Sequence, residues 1–267
     1  MNAVSIGPFV FATDQFAALL GIFAFTIVTS ILSRRIDPVI GRWSTWALIG
    51  GLVAARLGHV ALHWQSFLDE PWRVIAFWQG GFQPVAGLIG VVIVSALFIR
   101  SLRAGLGASA ALGLAVVIWI GVAELTRAPL GQPAPTIALQ QMDGPPIAVS
   151  DVIGKPAVVN LWATWCPPCR REMPLLAEVA ASRDDVSFLF VNQGEGTEKI
   201  RSYLTSEGLK LDRVLLDQSM QITRHYGAMG LPITLFLRAD GTLASLHMGE
   251  ISREALTANI EKLAGPS

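Results

Sequence analysis

The stretch Trp162-Ala-Thr-Trp-Cys-Pro-Pro-Cys-Arg-Arg-Glu-Met-Pro174 contains both cysteines of the chain. It follows a run rich in β-branched residues, Ala157–Trp162, which predicts a buried strand, and it opens a pattern of apolar residues with helical spacing. Cys166 is therefore expected where a strand ends and a helix begins, and the unpaired N–H groups of a helix start stabilise a thiolate. Pro167 and Pro168 fit the first helical turn, where no backbone donor is needed.

This Cys-x-x-Cys pair indicates thiol-disulfide exchange. Cys166 would attack a substrate disulfide, and Cys169, one helical turn further on, would displace the reduced product from the mixed disulfide. A structural zinc site is the main alternative, but it needs four ligands, and this half has neither a second Cys-x-x-Cys nor a nearby histidine pair. Covalent haem attachment would need histidine at position 170, which is Arg170. The sequence therefore predicts redox chemistry with no cofactor and no metal.

The composition of the whole chain is too apolar for an ordinary soluble protein. Of its 267 residues, 52% are hydrophobic and 15% are charged, and the mean hydropathy is +0.51. Part of the chain is therefore expected to lie in a lipid bilayer. The net charge is zero. No basic tract supplies the phosphate neutralisation on which nucleic-acid binding depends, so no nucleic-acid partner is expected.

The chain divides into two halves at a proline-rich stretch. Before Arg127 charged residues are sparse and apolar runs are long, whereas after Pro129 the sequence is mixed and richer in charge. This change predicts a membrane domain at 1–127, a linker at 128–135 and a second domain at 136–267. Four segments of the first half are apolar and roughly long enough to cross a hydrocarbon core of about 30 Å. They are 13–33, 44–63, 84–100 and 105–125.

The arginines that flank these segments predict their orientation. Most of them lie around the first and third loops: Arg34, Arg35, Arg42, Arg100 and Arg103. The intervening loop 64–83 has only Arg73 and is rich in Trp and Phe, which favours a position at the membrane interface. Because cytoplasmic loops carry the excess of Arg and Lys, both termini are expected outside, with the second domain in the periplasm of a bacterial-type inner membrane. No Lys or Arg precedes the first segment, so it is predicted to remain as an anchor and not to be a cleaved signal peptide.

The stretch from Trp162 to Pro174 resembles the TlpA-type thiol-disulfide reductases of the thioredoxin superfamily, and the resemblance covers about 131–267. The implied fold class is an α-helical membrane domain of about four transmembrane helices plus an α/β thioredoxin-like domain. The resemblance also implies a cis-proline opposite the cysteines, which maps onto Pro232, with Leu231 offering its backbone to a substrate peptide. Partners are expected to bind around Trp165, Cys166 and Leu231. Further patterns predict strands at 186–191, 214–217, 235–238 and 242–247, and helices at 197–207, at 220–226 and after Ser252.

Two positions depart from better-known members of this superfamily. Thioredoxin has a buried Asp two residues before the first Trp of the motif, and the corresponding residue here is Asn160, which cannot take a proton from Cys169. The proton acceptor therefore stays open, with Glu172 and Glu195 as candidates, although a position on a solvated face is favoured for each of them. The cytochrome c maturation branch usually has Glu after its cis-proline, whereas Ile233 stands there in this chain, which weakens a dedicated haem-maturation role.

Four segments of the first half form a second recognisable set: Ser5-Ile-Gly-Pro8, Ala55-Arg-Leu-Gly58, Ile75-Ala-Phe-Trp-Gln-Gly-Gly81 and Gly87-Leu-Ile-Gly90. They resemble the N-terminal part of prolipoprotein diacylglyceryl transferase over about 1–125. The transferase has His ahead of its Gly-Gly-Leu-Ile-Gly, and Val85 occupies that position here, so this half is interpreted as a truncated, reused scaffold. His59 and His63 lie four residues apart on the second segment and could ligate a metal or haem, although interfacial or packing roles are favoured.

The expected function is the reduction of disulfides in exported proteins. A strong oxidant of the superfamily carries Cys-Pro-His-Cys, and Pro168 replaces that His here, which favours a reductant. No cysteine precedes Cys166, so a separate membrane thiol reductase is expected to supply electrons while the first half anchors the redox domain in the bilayer. Two alternatives stay open: a lipoprotein diacylglyceryl transferase-like enzyme with an appended redox domain, and a dedicated reductant for haem or cytochrome c maturation.

Overall fold

The computed structural model describes residues 3–6, 9–68, 71–77, 80–125, 130–152, 154–228 and 230–264. The chain divides into two compact units. One unit is Thr13–Leu125, and the other consists of Met1–Ala12 and Thr126–Ser267. In the amino-terminal piece, β1 (Ala3–Ile6) and β2 (Phe9–Ala12) pair as an antiparallel hairpin. This hairpin was not predicted from the sequence.

The unit Thr13–Leu125 is a set of apolar helices. They are α1 (Thr13–Arg35), α2 (Val39–Leu62), α3 (Trp64–Leu68), α4 (Pro84–Phe98) and α5 (Leu102–Leu125), with a short 3₁₀ helix at Pro71–Ile75. Three helices are long and apolar enough to cross a membrane within the described residues: Phe16–Arg35, Val39–Leu62 and Leu102–Leu125. The fourth predicted span, 84–100, is a helix of 15 residues and does not meet this criterion. It is short because the backbone is extended at both Gln83 and Ile99.

Small residues allow α2 and α4 to pack closely. A Cβ atom added at Gly90 would lie 2.6 Å from the carbonyl oxygen of Gly50, and one added at Gly58 would lie 2.3 Å from Cβ of Ala86. Such distances leave no room for a side chain, as is common where helices pack in membranes. Gly50 of α2 faces Gly90 of α4, whereas Gly58, further along α2, faces Ala86, nearer the start of α4. The two helices therefore run antiparallel.

The unit that contains the cysteines is built on a seven-stranded mixed sheet. Its strands are β3 (Ala138–Gln141), β4 (Ile147–Ala148), β5 (Ala157–Trp162), β6 (Ser187–Gln193), β7 (Val214–Asp217), β8 (Ile233–Leu237) and β9 (Leu243–Met248). Its helices are α6 (Pro167–Ser182), α7 (Thr197–Ser206), α8 (Gln221–His225) and α9 (Arg253–Ala264). The strand order is β4-β3-β7-β6-β5-β8-β9, with β5 parallel to β6 and antiparallel to β8.

The central strand β5 is buried over its whole length, as expected for a strand that is covered on both faces. Trp162 and Met173 belong to the apolar cluster on the α6 side of the sheet, whereas Leu161 and Tyr226 belong to the cluster on the other side. The strands and helices predicted for this half are confirmed to within two residues at each end. The short strands β3 and β4 were not predicted.

The second part of the predicted linker, 130–135, is hydrogen-bonded within the folded unit. The backbone N–H groups of Gly131 and Ala134 donate to the carbonyl oxygens of Leu243 and Gly241 over 2.8 and 2.9 Å. In return, the N–H group of Leu243 donates to the carbonyl oxygen of Gln132 over 2.8 Å. This segment therefore adds backbone pairing beside β9, although its prolines suggested a free connection.

Candidate active site

Cys166 and Cys169 form a disulfide at the amino end of α6, with the Cα atoms 5.3 Å apart. Cys166 is the N-cap residue of this helix, and its Sγ accepts a hydrogen bond from the backbone N–H of Cys169 over 3.3 Å. Pro167 and Pro168 occupy the first helical positions, where their missing N–H groups cost no hydrogen bond. The helix start therefore brings a backbone donor and the positive end of its dipole to the sulfur of Cys166.

The two cysteines differ in their access to a partner. Cys166 is 3% exposed, whereas Cys169 is fully buried. Trp165, directly before the first cysteine, is 58% exposed, although a large aromatic side chain is usually buried in a water-facing domain. Both cysteines therefore belong to the buried cluster, and Cys166 is the one that keeps a small exposed area, directly after the exposed Trp165.

Leu231 and Pro232 lie at the same end of the sheet as the cysteines. Because β8 is antiparallel to β5 and Ile233 pairs with Leu161, the start of β8 meets the end of β5, from which the motif follows. The Leu231–Pro232 peptide bond is cis, as predicted. Leu231 packs against the apolar cluster that includes both Cys166 and Cys169.

Glu172 is a buried carboxyl group one helical turn after Cys169. It is 2% exposed. Its Oε1 accepts from Nδ2 of Asn160 over 2.8 Å, and its Oε2 accepts from the backbone N–H of Ile251 over 2.8 Å. Burial raises the pKa of Glu172 to about 8, although both hydrogen bonds act to lower it. This carboxyl group can therefore hold a proton near neutral pH and release it slightly above.

Asn160 joins Glu172 to the neighbouring strand. Its Nδ2 also donates to Oγ1 of Thr234 over 3.1 Å, whereas no partner for its Oδ1 is found among the described residues. The roles of Thr234 and of the Ile251 backbone were not predicted, because only the folded chain brings β8 and the start of α9 beside α6. Asn160, which stands at the position of the buried Asp of thioredoxin, is thus hydrogen-bonded to Glu172, one of the two candidate proton acceptors.

Glu195, the second candidate proton acceptor, has a different environment. Its carboxylate oxygens accept from N and Oγ1 of Thr164 over 2.7 and 2.6 Å, from Nδ2 of Asn192 over 2.9 Å and from Nζ of Lys199 over 2.7 Å. Burial opposes the charge, but these donors together lower the pKa of Glu195. The carboxyl group is therefore ionised near neutral pH, and it fixes the Thr164 backbone two residues before Cys166.

His59 of α2 and His63, which directly follows the end of α2, were the candidate metal or haem ligands. The rings of His59 and His63 have centroids 4.5 Å apart, and Nδ1 of His63 lies 3.0 Å from the carbonyl oxygen of His59. Within the described part of the chain, no group of three or more His, Cys, Asp or Glu side chains could hold a metal ion. The two rings therefore contact each other and the helix backbone.

The two halves of the chain match two different family models. Residues 130–246 match the AhpC/TSA family, and residues 2–128 match prolipoprotein diacylglyceryl transferase. The thiol-disulfide oxidoreductase ResA of Geobacillus thermodenitrificans is 29% identical over 142 residues, which are 52% of this chain and 81% of ResA. The thioredoxin-like protein YneN of Bacillus subtilis is 27% identical over 135 residues, which are 49% of this chain and 78% of YneN.

A similar solved structure is that of a secreted Mycobacterium tuberculosis disulfide oxidoreductase homologous to E. coli DsbE. It is 27% identical, covers 48% of this chain and 96% of its own, and has a TM-score of 0.43. The relatives and the two family models confirm the predicted resemblances of both halves. The chain joins a thiol-disulfide oxidoreductase domain of the thioredoxin-like type to a membrane-associated domain that is similar to the transferase.

Proposed function

We propose that this protein is a membrane-anchored periplasmic reductase that reduces disulfides in exported proteins through Cys166 and Cys169. One observation carries the proposal: the cysteine pair caps α6 next to the exposed Trp165, with the slightly exposed Cys166 first, the fully buried Cys169 second and Glu172 buried one turn behind. This arrangement separates an attacking thiolate from a resolving thiol and gives the latter a proton partner. The similarity to ResA, which is named a thiol-disulfide oxidoreductase, supports the same chemistry.

The proposed cycle balances protons and electrons. The Cys166 thiolate attacks one sulfur of the substrate disulfide, the S–S bond breaks, and the other substrate sulfur leaves as a thiolate that takes a proton from solvent. Cys169 gives its proton to the Glu172 carboxylate, which the return of its proton in the preceding cycle has left ionised, and attacks Sγ of Cys166. The second substrate sulfur then leaves as a thiolate and also takes a proton from solvent. The substrate has gained two electrons, and the protein holds the Cys166–Cys169 disulfide. A dithiol donor then opens that disulfide, and Glu172 returns its proton to Cys169.

The remaining residues of the site have supporting roles in this proposal. Pro167 and Pro168 start the helix, and Pro168 replaces the histidine that stabilises the reduced thiolate in a strong oxidant of the superfamily, which favours a reductant. Trp165 and Leu231 form the apolar surface on which partners dock, with the Leu231 backbone pairing to the substrate peptide. Pro232 shapes that backbone. Asn160 orients Glu172 through its 2.8 Å hydrogen bond.

The transferase alternative has the family match of residues 2–128 in its favour, but one position argues against transferase activity. Val85, at the position of the transferase histidine, is an apolar residue that is 60% exposed near the start of α4. It can neither donate nor accept a proton. The membrane half is therefore proposed to anchor and orient the redox domain.

The proposed orientation requires α4 to cross the membrane despite its length. Nε1 of Trp43 donates to Oγ of Ser95 over 3.0 Å, and the N–H group of Gln83 donates to the carbonyl oxygen of Ala55 over 2.9 Å. Trp43 and Ala55 are twelve residues apart along α2, and Gln83 and Ser95 are twelve residues apart along the partner segment. The two helices therefore lie side by side over about 18 Å. The arginines of the two helix ends, Arg42 and Arg100, then lie on the same side, in agreement with the arginine count.

A reporter fusion tests this topology. Alkaline phosphatase, which is active only outside the cytoplasm, is expected to be active when fused after Ser267 and inactive when fused after Asp37, in the α1–α2 loop. Both fusions keep the first span, so expression levels provide the control. Activity of a cytoplasm-only reporter after Ser267 would contradict the periplasmic proposal.

The source of electrons can be tested independently. Neither cysteine lies in the membrane half, and thiol relays move electrons only between neighbouring sulfurs. In cells that lack the general transmembrane thiol reductase, Cys166 and Cys169 are therefore expected to accumulate as the disulfide, as measured by thiol alkylation of the intact protein. Restoring the reductase should restore the dithiol. A pair that stays reduced without it would show that electrons arrive by another route.

A further inference from the structure

The segment that joins α3 to α4 folds back along α2 and does not extend beyond its end. This return segment comprises the described residues 71–77 and 80–83. Nε of Arg56 donates to the carbonyl oxygen of Val74 over 2.9 Å, and the N–H group of Gln83 donates to that of Ala55 over 2.9 Å. Arg56 and Ala55 precede the last residue of α2, Leu62, by six and seven positions, or about 9 to 10 Å of helix. The return segment therefore reaches the depth of the interior of a predicted span.

Non-helical backbone can lie at such a depth only where its polar groups are satisfied by the protein. The Arg56 guanidinium supplies this function. It donates to carbonyl oxygens of five residues in the return segment: Arg73, Val74, Ala76, Gly80 and Gly81. Gly80 and Gly81 have φ values of +73° and +78°, which L side chains rarely adopt. A Cβ at Gly81 would also lie 2.8 Å from Nη1 of Arg56.

In the return segment apolar side chains are exposed and an arginine is buried, which is the opposite of what is expected in water. Ile75 and Phe77 are 73% and 68% exposed, and Trp72 is 53% exposed. Arg73 is only 7% exposed, and its guanidinium lies 5.5 Å from the ring centroid of Phe67. Apolar side chains that point outward around an inward-turned arginine suit a hydrocarbon environment, where charges face the protein interior.

The length of α4 agrees with this placement. Its 15 residues span about 22 Å, which is about 8 Å short of a hydrocarbon core of about 30 Å. The return segment already lies about 9 Å inside the end of α2, which accounts for that shortfall. The chain thus needs fewer helical residues to complete the crossing.

We infer that the return segment is a re-entrant loop embedded in the membrane leaflet at the carboxyl end of α2. Its partner is the acyl-chain region of the lipids, which Trp72, Ile75 and Phe77 contact directly. Arg56 is the residue that positions the loop, because it replaces the water that the loop carbonyls would otherwise bind.

The test uses the full chain in lipid nanodiscs, which expose both membrane faces to the solvent. Replacing both native cysteines by serine leaves no other cysteine, so single variants Ile75→Cys and Phe77→Cys can be labelled with a charged, water-soluble maleimide. Both are expected to react at least about tenfold more slowly than Ser202→Cys on the exposed face of α7, because thiolates form in water and not in hydrocarbon. Ile93→Cys on α4 is the lipid-facing control. Labelling at the Ser202→Cys rate would refute an embedded loop.

A second set of variants tests the role of Arg56. Arg56→Ala is expected to raise the labelling rate of Phe77→Cys towards that of Ser202→Cys, whereas Arg42→Ala, which removes an exposed arginine from the same helix, should leave it unchanged. Ile93→Cys should stay slow in the Arg56→Ala protein, which shows that α4 remains in the bilayer. Slow labelling of Phe77→Cys in such an Arg56→Ala protein would mean that Arg56 does not position the loop.

Discussion

Cys166→Ser is expected to lower disulfide reduction by at least about 1,000-fold, because a serine hydroxyl is not ionised near neutral pH and cannot replace the thiolate nucleophile. Cys169→Ser is expected to keep the first attack and to lose the second. It should therefore accumulate as a mixed disulfide between Cys166 and its substrates. The measurement is turnover of a disulfide substrate by the full chain in membranes, together with non-reducing electrophoresis to detect the trapped species.

The matched control is the double variant, which should trap nothing. Substrates identified on Cys169→Ser would also define the class of exported protein that this enzyme reduces. If Cys166→Ser forms the mixed disulfides and Cys169→Ser does not, the roles of the two cysteines are reversed. That result would conflict with the burial of Cys169 in the core.

Much of the redox half could be predicted from its sequence because local patterns and tertiary structure agree there. The apolar run at β5 has buried residues on both faces, and the two prolines after Cys166 fit the first turn of a helix. The pairing of β3 with β7 could not be predicted in the same way. Only two residue pairs join these strands, Gln140 with Leu216 and Gln141 with Leu215. A strand of four residues that includes two glutamines carries little periodic signal, and its position depends on the sheet that it joins.

The membrane half illustrates a different limit of sequence patterns. Hydropathy locates the apolar segments, but it does not indicate where helical structure begins within them. The apolar segment 84–100 contains α4 only to Phe98 and is preceded by backbone that Arg56 holds in place. An arginine within an apolar segment suggests a function. The sequence does not indicate whether its partner is a ligand, another side chain or, as here, the carbonyl groups of the same chain.

The sequence named Glu172 and Glu195 as candidate proton partners of Cys169 but favoured a solvated face for each. That expectation is wrong, because both side chains are buried in the folded domain. They differ in their hydrogen-bond donors. Glu195 accepts from the backbone N–H and the hydroxyl of Thr164, from Asn192 and from the charged Lys199. Glu172 accepts from Asn160 and from one backbone N–H group, that of Ile251. That contrast arises from tertiary packing, and it assigns the two carboxyl groups opposite protonation states near neutral pH.

The environment of Glu172 predicts a specific dependence of turnover on pH. Because burial raises its pKa to about 8, Glu172 is protonated below that pH and can donate to Cys169 when the disulfide opens. Above pH 8 the carboxyl group is ionised and this donation is lost. Glu172→Gln keeps the shape of the side chain but only one of the two accepted hydrogen bonds, because its NH2 group cannot accept from a second N–H donor. It also has no titrating proton, and it is expected to lower turnover by about 100-fold, at the lower end of general acid-base effects.

The comparison of the two proteins across pH distinguishes a proton-transfer role from a packing role. The ratio of wild-type to Glu172→Gln turnover should be largest at pH 6 to 7 and should fall by about tenfold per pH unit above pH 8, where wild-type Glu172 can no longer donate. Glu178→Gln is the matched control, because Glu178 lies on the same helix but on the surface, where it pairs with Arg253 over 2.6 Å. A ratio that stays constant from pH 6 to 9 would mean that Glu172 supports the fold around Asn160 and Ile251 and transfers no proton, and the role of acid and base would then have to lie with solvent.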